Sequence, residues 1–190
     1  MLSRRAFIGA AAGAPLAAIA AGQSLPAAPG AALKSLTADA KAISRDEHHA
    51  RLAKLQELME QRKVAAFLVE SGSSLEYFTG IRWARSERVT LAIIPARGEV
   101  IVVTPAFEEP SVRETLQVGG DVRPWNEHEN PSERIVQGLR DRGITSGVLA
   151  VEPTVRYFIV DGLHQVSKAY DLISGDALVR ACRLIKSPAE

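Results

Sequence analysis

Val64-Ala65-Ala66-Phe67-Leu68-Val69 is the stretch of sequence that decides the fold. A continuous apolar run of this length is typical of a strand that is covered on both faces of a sheet. The residues before it, 44–62, open with a Ser-x-x-Glu capping box and then repeat apolar residues at helical spacing. These apolar residues are Leu52, Leu55, Leu58 and Met59. The two segments together predict an amphipathic helix that leads into a buried strand.

Further strands and helices alternate along the rest of the chain. Apolar runs at 89–94, 100–104 and 147–151 predict strands, and the turn at 95–99 joins the first two of them as a hairpin. A short helix capped by Ser74, a helix over 109–118 and a short strand at 121–123 are also predicted. Asn130-Pro131 is a cap followed by proline at the first helical position, and it predicts a helix that ends at Gly143. A helix over 154–166 is predicted to bury Val155, Phe158, Ile159 and Leu163, and residues 183–186 are predicted to close a further helix with Lys186 in its final turn.

Alternating helices and apolar strands define the fold class. Strands that are apolar on both faces need helices on both sides of their sheet. The hairpin at 95–99 adds an antiparallel strand to a sheet whose other connections run through helices. The sequence therefore predicts an α/β domain of three layers, in which a mixed β-sheet is flanked by helices.

The first residues have the form of an export signal. Ser3-Arg4-Arg5 opens a run of small and apolar residues that ends near a small-x-small cleavage site at Ala18-Ile19-Ala20. This order is typical of a twin-arginine signal peptide, here 1–21, and it predicts a periplasmic or secreted protein. The run is short, rich in alanine and interrupted by Pro15, so no stable membrane span is expected. The alternative is a disordered alanine-rich tail, and residues 22–43 are predicted to form a flexible linker.

Composition narrows the class of protein further. The chain has 23 basic and 22 acidic residues among 190, with no basic stripe, so a nucleic-acid partner is not expected. The residues after the linker, 44–182, correspond to one domain of ordinary size. Cys182 is the single cysteine, which excludes an intramolecular disulfide.

A self-sufficient catalytic constellation is not expected within this chain. His48-His49 are adjacent in a helix and point in different directions, so a solvated surface is favoured over a metal site. Glu127-His128-Glu129 is interpreted as a polar loop cluster, and His164 as a packed or capping residue near a helix end. Cys182 is interpreted as a small packed residue, and the Gly-x-Ser-x-Gly nucleophile motif does not occur. We therefore expect no catalytic residue, metal ligand or cofactor in this chain.

Motifs spread along residues 44–190 carry a family resemblance. They include a turn of the Tyr-x-Thr-Gly type after the first strand, a tryptophan- and arginine-containing loop, and a closing junction that begins Arg-Leu-Ile-Lys. In this sequence the motifs are Arg51-Leu52, Met59, 65–69, Tyr77-Phe78-Thr79-Gly80, 83–88, Ile94-Pro95, Gly98-Glu99, 105–109, 125–131 and 183–190. Together they resemble the amino-terminal domain of the creatinase/prolidase/Xaa-Pro aminopeptidase family of pita-bread metallopeptidases, in its bacterial Xaa-Pro dipeptidase-like branch.

The resemblance implies an enzyme of two domains. Residues 183–190 would begin the linker to a carboxy-terminal catalytic domain, which holds two divalent metal ions (Mn, Co or Zn). Members of the family form homodimers, and the amino-terminal domain brings a loop close to the active site of the neighbouring subunit. By position that loop is 81–88, and Trp83, Arg85 and Arg88 are its candidate contacts with a proline-containing peptide. The alternative for these residues is a solvated loop whose tryptophan packs on its own domain.

The expected function follows from this resemblance. The chain is interpreted as the non-catalytic amino-terminal domain, for assembly and substrate gating, of an exported Xaa-Pro dipeptidase- or aminopeptidase-like metallopeptidase. Two alternatives stay open: a stand-alone α/β binding or scaffold protein without peptidase activity, and the corresponding domain of a creatinase-like amidinohydrolase. On either enzyme interpretation this chain lacks the catalytic metal ligands.

Overall fold

The computed structural model describes residues 37–190, and a six-stranded mixed sheet lies at the centre of the unit formed by residues 41–190. The order across the sheet is β4-β3-β2-β1-β5-β6. β2 runs antiparallel to β1 and β3, and the β1–β5, β5–β6 and β3–β4 pairs are parallel. The strands are β1 (Ala66–Glu70), β2 (Leu91–Pro95), β3 (Val100–Pro105), β4 (Gly120–Trp125), β5 (Gly147–Val151) and β6 (Tyr170–Ser174).

Helices cover both faces of this sheet. On one face α1, α2, α3 and α6 pack their buried residues into one apolar cluster, and on the other face α4 and α5 form a second. The helices are α1 (Arg45–Gln61), α2 (Ser73–Thr79), α3 (Glu109–Thr115), α4 (Pro131–Asp141), α5 (Tyr157–Val166) and α6 (Asp176–Arg183). The predicted α/β fold of three layers is therefore confirmed. The predicted signal peptide and most of the predicted linker lie outside the described residues.

The decisive apolar run lies in the middle of the sheet. β1 is paired with β2 on one side and β5 on the other, and all five of its residues are buried. Phe67 and Val69 contribute to the α1 side of the core, whereas Ala66 and Leu68 contribute to the α4 side. Alternate side chains of a strand point to opposite faces, so an apolar run is what this position requires.

The helix that precedes β1 begins and ends as its sequence predicts. The Ser44 hydroxyl accepts a hydrogen bond from the Glu47 backbone N–H (3.2 Å), which caps α1. After the helix, Lys63 adopts a positive φ of 56° and the Val64 N–H donates to the Met59 carbonyl (2.9 Å). This reversal directs the chain from α1 straight into the sheet.

Several local predictions are wrong at the carboxyl ends of β1 and β5. Ser74 does not cap α2; Gly72 holds that position, and Ser74 is buried within the first turn. α5 begins at Tyr157 and not at residue 154, because the Arg156 backbone is held in an extended conformation by Glu70. Phe158 is 48% exposed where burial was predicted. Its ring contacts the Arg156 guanidinium at 4.7 Å, which accounts for its outward position.

The last elements differ from the sequence prediction as well. β6 was not predicted, because it is an edge strand with one buried residue and lacks a strong apolar pattern. α6 ends at Arg183, so Lys186 lies beyond the final turn, although its ammonium still donates to the Arg183 carbonyl. Leu184 and Ile185, which follow α6, are exposed. Within residues 37–190, none of the helices combines the length and the apolar character that a membrane crossing requires.

Candidate functional site

One edge of the sheet gathers the ends of five strands. β1, β3, β4, β5 and β6 all finish there, and β2 begins there, as the pairs Glu70↔Leu91, Pro105↔Trp125 and Val151↔Ser174 show. We call this the carboxyl edge. Residues 81–88, the 81–88 loop, run along it and lead into β2. In α/β sheets the crevice outside the carboxyl ends of strands is where ligands usually bind.

The 81–88 loop follows Gly80, whose backbone conformation favours glycine. Gly80 ends α2 with a φ of 79°, in the left-handed region. A Cβ at this position would lie 2.7 Å from the Cβ of Gln117, whose backbone N–H donates to the Thr79 carbonyl at 2.8 Å. The close approach of these two segments therefore fixes where the loop leaves α2.

Trp83 packs against its own domain. Its ring is half-buried beside the α1 side of the core, and its Nε1–H donates to Glu108 Oε2 at 3.1 Å. The same carboxylate oxygen accepts from the Thr90 hydroxyl at 3.0 Å. The indole is thus fixed between the loop and the segment that follows β3.

Arg85 extends towards the ends of β1 and β5. Its Nη2 donates to the Ser71 carbonyl (3.2 Å) and to the carbonyl and hydroxyl of Thr154 (3.0 and 3.1 Å). Its Nε lies 4.0 Å from a carboxylate oxygen of Glu70, and 38% of the side chain is exposed. The bonds made by Nη2 therefore hold the guanidinium in place, while part of the side chain still faces solvent. A partly exposed, oriented guanidinium is suited to bind a carboxylate.

Arg88 lies towards the end of β4. Its Nε donates to Glu127 Oε1 at 2.6 Å, it forms an ion pair with Glu87, and its guanidinium lies 5.2 Å from the centre of the Phe107 ring. The hydrogen bond to Glu127 raises the pKa of Arg88 above its ordinary value. Trp83 thus binds the segment after β3, Arg85 the segments after β1 and β5, and Arg88 the segment after β4. Trp83 packs as the alternative interpretation expected, and the substrate contact of all three stays a prediction.

A buried carboxylate that the sequence did not single out organises this edge. The Glu70 side chain is completely buried at the end of β1 and accepts hydrogen bonds from Arg156 through Nε (2.7 Å) and the backbone N–H (3.0 Å). Arg156 in turn donates to the carbonyls of Ser86 (2.6 Å) and Arg88 (3.1 Å) in the loop. The sequence did offer a signal for Glu70, because this charged residue directly follows an apolar strand. No local sequence pattern marks Arg156.

Glu152 directly follows the end of β5, the parallel neighbour of β1, and is also buried. One carboxylate oxygen accepts from the Ser74 hydroxyl (2.9 Å), and the other accepts from the backbone N–H (2.7 Å) and hydroxyl (2.6 Å) of Thr154. Arg183 also donates to the Ser74 hydroxyl at 3.0 Å. Because Thr154 binds Arg85, Glu152 fixes the group that orients this arginine.

His48 is buried, so the predicted solvated position of this residue is wrong, whereas His49 is exposed. His48 Nδ1 lies 3.1 Å from the Tyr77 carbonyl oxygen, and both residues line a groove of about 930 Å³. Burial lowers the pKa of His48 below its ordinary value. Arg51, one turn further along α1, donates to the same carbonyl and stacks on the Tyr77 ring. The pair therefore joins α1 to α2 and has a packing role.

The other residues considered for chemistry have structural surroundings. Glu129 accepts hydrogen bonds from the backbone and side-chain nitrogens of Asn126, and the backbone bond is the main reason that its pKa is lowered. Cys182 is buried, and burial raises the pKa of its thiol. Within residues 37–190, no three His, Cys, Asp or Glu side chains are grouped closely enough to hold a metal ion.

The fold described above is that of a known family. Residues 51–185 match the model of the Creatinase/Prolidase N-terminal domain, and this chain belongs to that family. The predicted resemblance is confirmed.

Individual relatives agree with this assignment. The chain is 32% identical over 166 residues to an uncharacterized peptidase of Schizosaccharomyces pombe, covering 80% of this chain and 35% of the relative. A dipeptidase from Pyrococcus horikoshii superimposes with a TM-score of 0.65 at 26% identity, over 73% of this chain and 37% of that one. The N-terminal domain of an Xaa-Pro dipeptidase from Lactobacillus brevis gives 0.63 at 20% identity, over 69% and 98%. This chain therefore spans about a third of the curated peptidase and nearly all of a separately solved N-terminal domain.

Proposed function

We propose that this chain is the amino-terminal, assembly and substrate-gating domain of an Xaa-Pro dipeptidase- or aminopeptidase-like metallopeptidase. Membership in the creatinase/prolidase amino-terminal family and similarity to proteins named peptidase and dipeptidase support the proposal. The observation that carries it is the fixed position of the 81–88 loop, which presents Arg85, with 38% of its side chain exposed, at the carboxyl edge.

The proposed partner of this loop is the active site of a second subunit. In a homodimer, Arg85 would bind the carboxylate of a proline-containing peptide through its guanidinium, and Trp83 would form an apolar wall of the pocket. Arg88 would contribute positive charge at the rim. Glu108 and Glu127 already orient Trp83 and Arg88, so the loop would enter the interface with its side chains largely ordered.

The catalytic metal ions would belong to a carboxy-terminal domain joined through residues 183–190. Two divalent ions (Mn, Co or Zn) supply an activated water and polarise the scissile carbonyl in sites of this kind. The residues of this chain would bind and orient the peptide without contributing a metal ligand.

Export completes the proposal. Arg4 and Arg5, with the apolar run that follows them, support transport through the twin-arginine route to the periplasm or beyond.

The coding sequence beyond the codon for Glu190 provides the first test. We expect it to continue into a second domain with spaced aspartate, histidine and glutamate residues. The full-length protein should then hydrolyse Xaa-Pro dipeptides when Mn²⁺, Co²⁺ or Zn²⁺ is added, whereas the 190-residue chain alone should not. A stop codon directly after Glu190 would favour the binding or scaffold alternative. Hydrolysis of creatine, with none of Xaa-Pro dipeptides, would favour the amidinohydrolase.

A further inference from the structure

One connection between the 81–88 loop and the central strand of the sheet runs through the Glu70 carboxylate and Arg156. Glu70 ends β1, which is paired on both sides, and none of its side chain is exposed. A buried carboxylate needs charged or hydrogen-bonding partners to offset its lost hydration. Arg156 supplies them through its backbone N–H, its Nε and an ion pair at Nη2. Glu70 therefore determines where the Arg156 guanidinium lies.

The remaining donors of the same guanidinium are directed at the backbone of the loop. Nη1 of Arg156 donates to the Ser86 carbonyl at 2.6 Å, and Nη2 donates to the Arg88 carbonyl at 3.1 Å. These carbonyls flank residue 87, between the two candidate arginines of the loop. A planar, five-donor guanidinium can bind a carboxylate and two carbonyls at once, which a lysine ammonium does not reproduce.

Arg85 also lies within reach of this carboxylate. Its Nε is 4.0 Å from Glu70 Oε2, and its Nη2 is bonded to Ser71 and Thr154, the residues that follow the strand ends. Moving Arg156 would therefore remove the support of the loop backbone at Ser86 and Arg88 and alter the charge that faces Arg85.

We propose that Arg156 is a positioning residue of the 81–88 loop. It transmits the fixed position of Glu70 to the loop backbone and so sets the orientation of Arg85. Its effect on substrate binding rests on the function proposed above. The effect on the loop itself does not depend on that function.

The first test measures the loop in the 190-residue chain, since a related N-terminal domain has been solved as a separate chain. Trypsin cleavage after Arg82, Arg85 and Arg88 reports local opening, and cleavage after Lys54, in the middle of α1, reports global unfolding. We expect Arg156→Ala to raise loop cleavage at least tenfold relative to cleavage after Lys54, and Arg156→Lys to give an intermediate increase. Arg123→Ala removes an arginine that is also paired with two carboxylates, Asp121 and Asp141, and should leave the loop unchanged.

The outcome at each site decides the proposal. Unchanged loop cleavage in Arg156→Ala would overturn it, and so would an increase of equal size in the loop and after Lys54. If Arg156→Ala does not fold, the same comparison is made with Arg156→Lys, for which at least a threefold selective increase is expected and no increase would overturn the proposal.

The second test uses the full-length protein and an Xaa-Pro dipeptide. We expect Arg156→Ala to raise KM at least fivefold and to change kcat less than twofold, with partial recovery of KM in Arg156→Lys. An unchanged KM in Arg156→Ala, together with increased cleavage of the loop, would overturn the proposed effect of Arg156 on substrate binding. Absence of activity in the wild-type protein would instead contradict the proposed function, and the cleavage experiment would still decide whether Arg156 positions the loop.

Discussion

Glu70 and Arg156 are 86 positions apart in the chain, yet one carboxylate accepts hydrogen bonds from both the Nε and the backbone N–H of this arginine, at 2.7 and 3.0 Å. The backbone bond lies directly before α5, so the carboxylate also determines where that helix begins. One side chain thus connects the central strand, a helix start and the 81–88 loop.

Glu70→Gln should destabilise the domain. The substitution keeps the shape of the side chain but leaves Arg156, whose side chain is 25% exposed, without its charged partner. We expect a loss of about 3 kcal/mol in the free energy of unfolding, measured by urea denaturation. Glu99→Gln is the control, because the Glu99 side chain is 68% exposed and 3.9 Å from Arg142, and its expected effect is below about 0.5 kcal/mol. Equal losses in the two variants would contradict this role of Glu70.

His48 should make stability depend on pH. Its pKa is lowered in the folded state by burial and also by Arg51, although the Tyr77 carbonyl, Glu47 and Glu76 favour its protonation. The unfolded chain therefore takes up a proton at higher pH than the folded chain. It follows that the free energy of unfolding falls as pH decreases through about 6.5.

His48→Gln should weaken this dependence. Urea denaturation at pH 7.5 and 5.5 is expected to show a smaller difference in His48→Gln than in the wild-type chain. His49→Gln is the matched control at an exposed position and should behave as the wild type does. The prediction fails if His48→Gln and the wild type lose the same stability between the two pH values.

Lys63→Gly should stabilise the domain. Lys63 is exposed and has a φ of 56°, in a region that is costly for residues with a Cβ and open to glycine. We expect a gain of about 0.5–1 kcal/mol in the free energy of unfolding. Lys54→Gly, at an exposed position within α1, should instead cost about 1 kcal/mol. The same substitution is therefore expected to raise the free energy of unfolding at one position and to lower it at the other. A lower free energy of unfolding in both variants would contradict the prediction.

Arg85→Ala should reduce catalysis in the full-length protein with little change in melting temperature. A charge-assisted contact with substrate contributes on the order of 1.5–3 kcal/mol, which corresponds to a roughly ten- to hundredfold loss of kcat/KM. Arg82→Ala is the control within the same loop, since its side chain is 81% exposed and paired with Glu76. Normal kinetics with a clearly lower melting temperature in Arg85→Ala would assign Arg85 to the fold of its own domain.

Export should depend on the paired arginines at the start of the chain. Replacing Arg4 and Arg5 together by lysine retains the charge but removes the twin-arginine motif, so precursor should accumulate in the cytoplasm. Cell fractionation, followed by detection of the precursor and the processed protein in each fraction, measures the extent of export. Equal amounts of wild type and variant in the periplasm would argue against a twin-arginine signal.

The elements predicted correctly from sequence are those whose signals are local. α1 has its cap at Ser44 and its apolar positions within one segment, and β2 and β3 are joined by a short turn. β6 escaped prediction because only Tyr170 is buried in it, so its apolar pattern is weak. A strand of this kind is specified by its pairing with β5, which the local sequence does not display.

The site was predicted less completely than the fold. The position of the 81–88 loop came from family resemblance, and Glu70 and Glu152 had a visible signal as charged residues directly after apolar strands. Arg156 had none, because its role depends on groups that the fold brings together from distant positions. His48 was misjudged for a similar reason. Its burial depends on α2 packing over α1, and an adjacent histidine pair gives no indication of which member faces inward.

The parallel pairing of β1 with β5 also has a consequence for the order in which the domain folds. β1, β2, β3 and β4 are neighbours in both sequence and space, so these four of the six strands can assemble while the chain is still short. β5 and β6 are far from β1 in sequence. They join the sheet only when β5 pairs with β1 in the register Ala66↔Leu149, which closes a long loop. Because closure of long loops slows folding, we expect docking of β5 and β6 to be the late step. Until it occurs, one side of β1 remains an open apolar edge on which a second unfolded chain can pair.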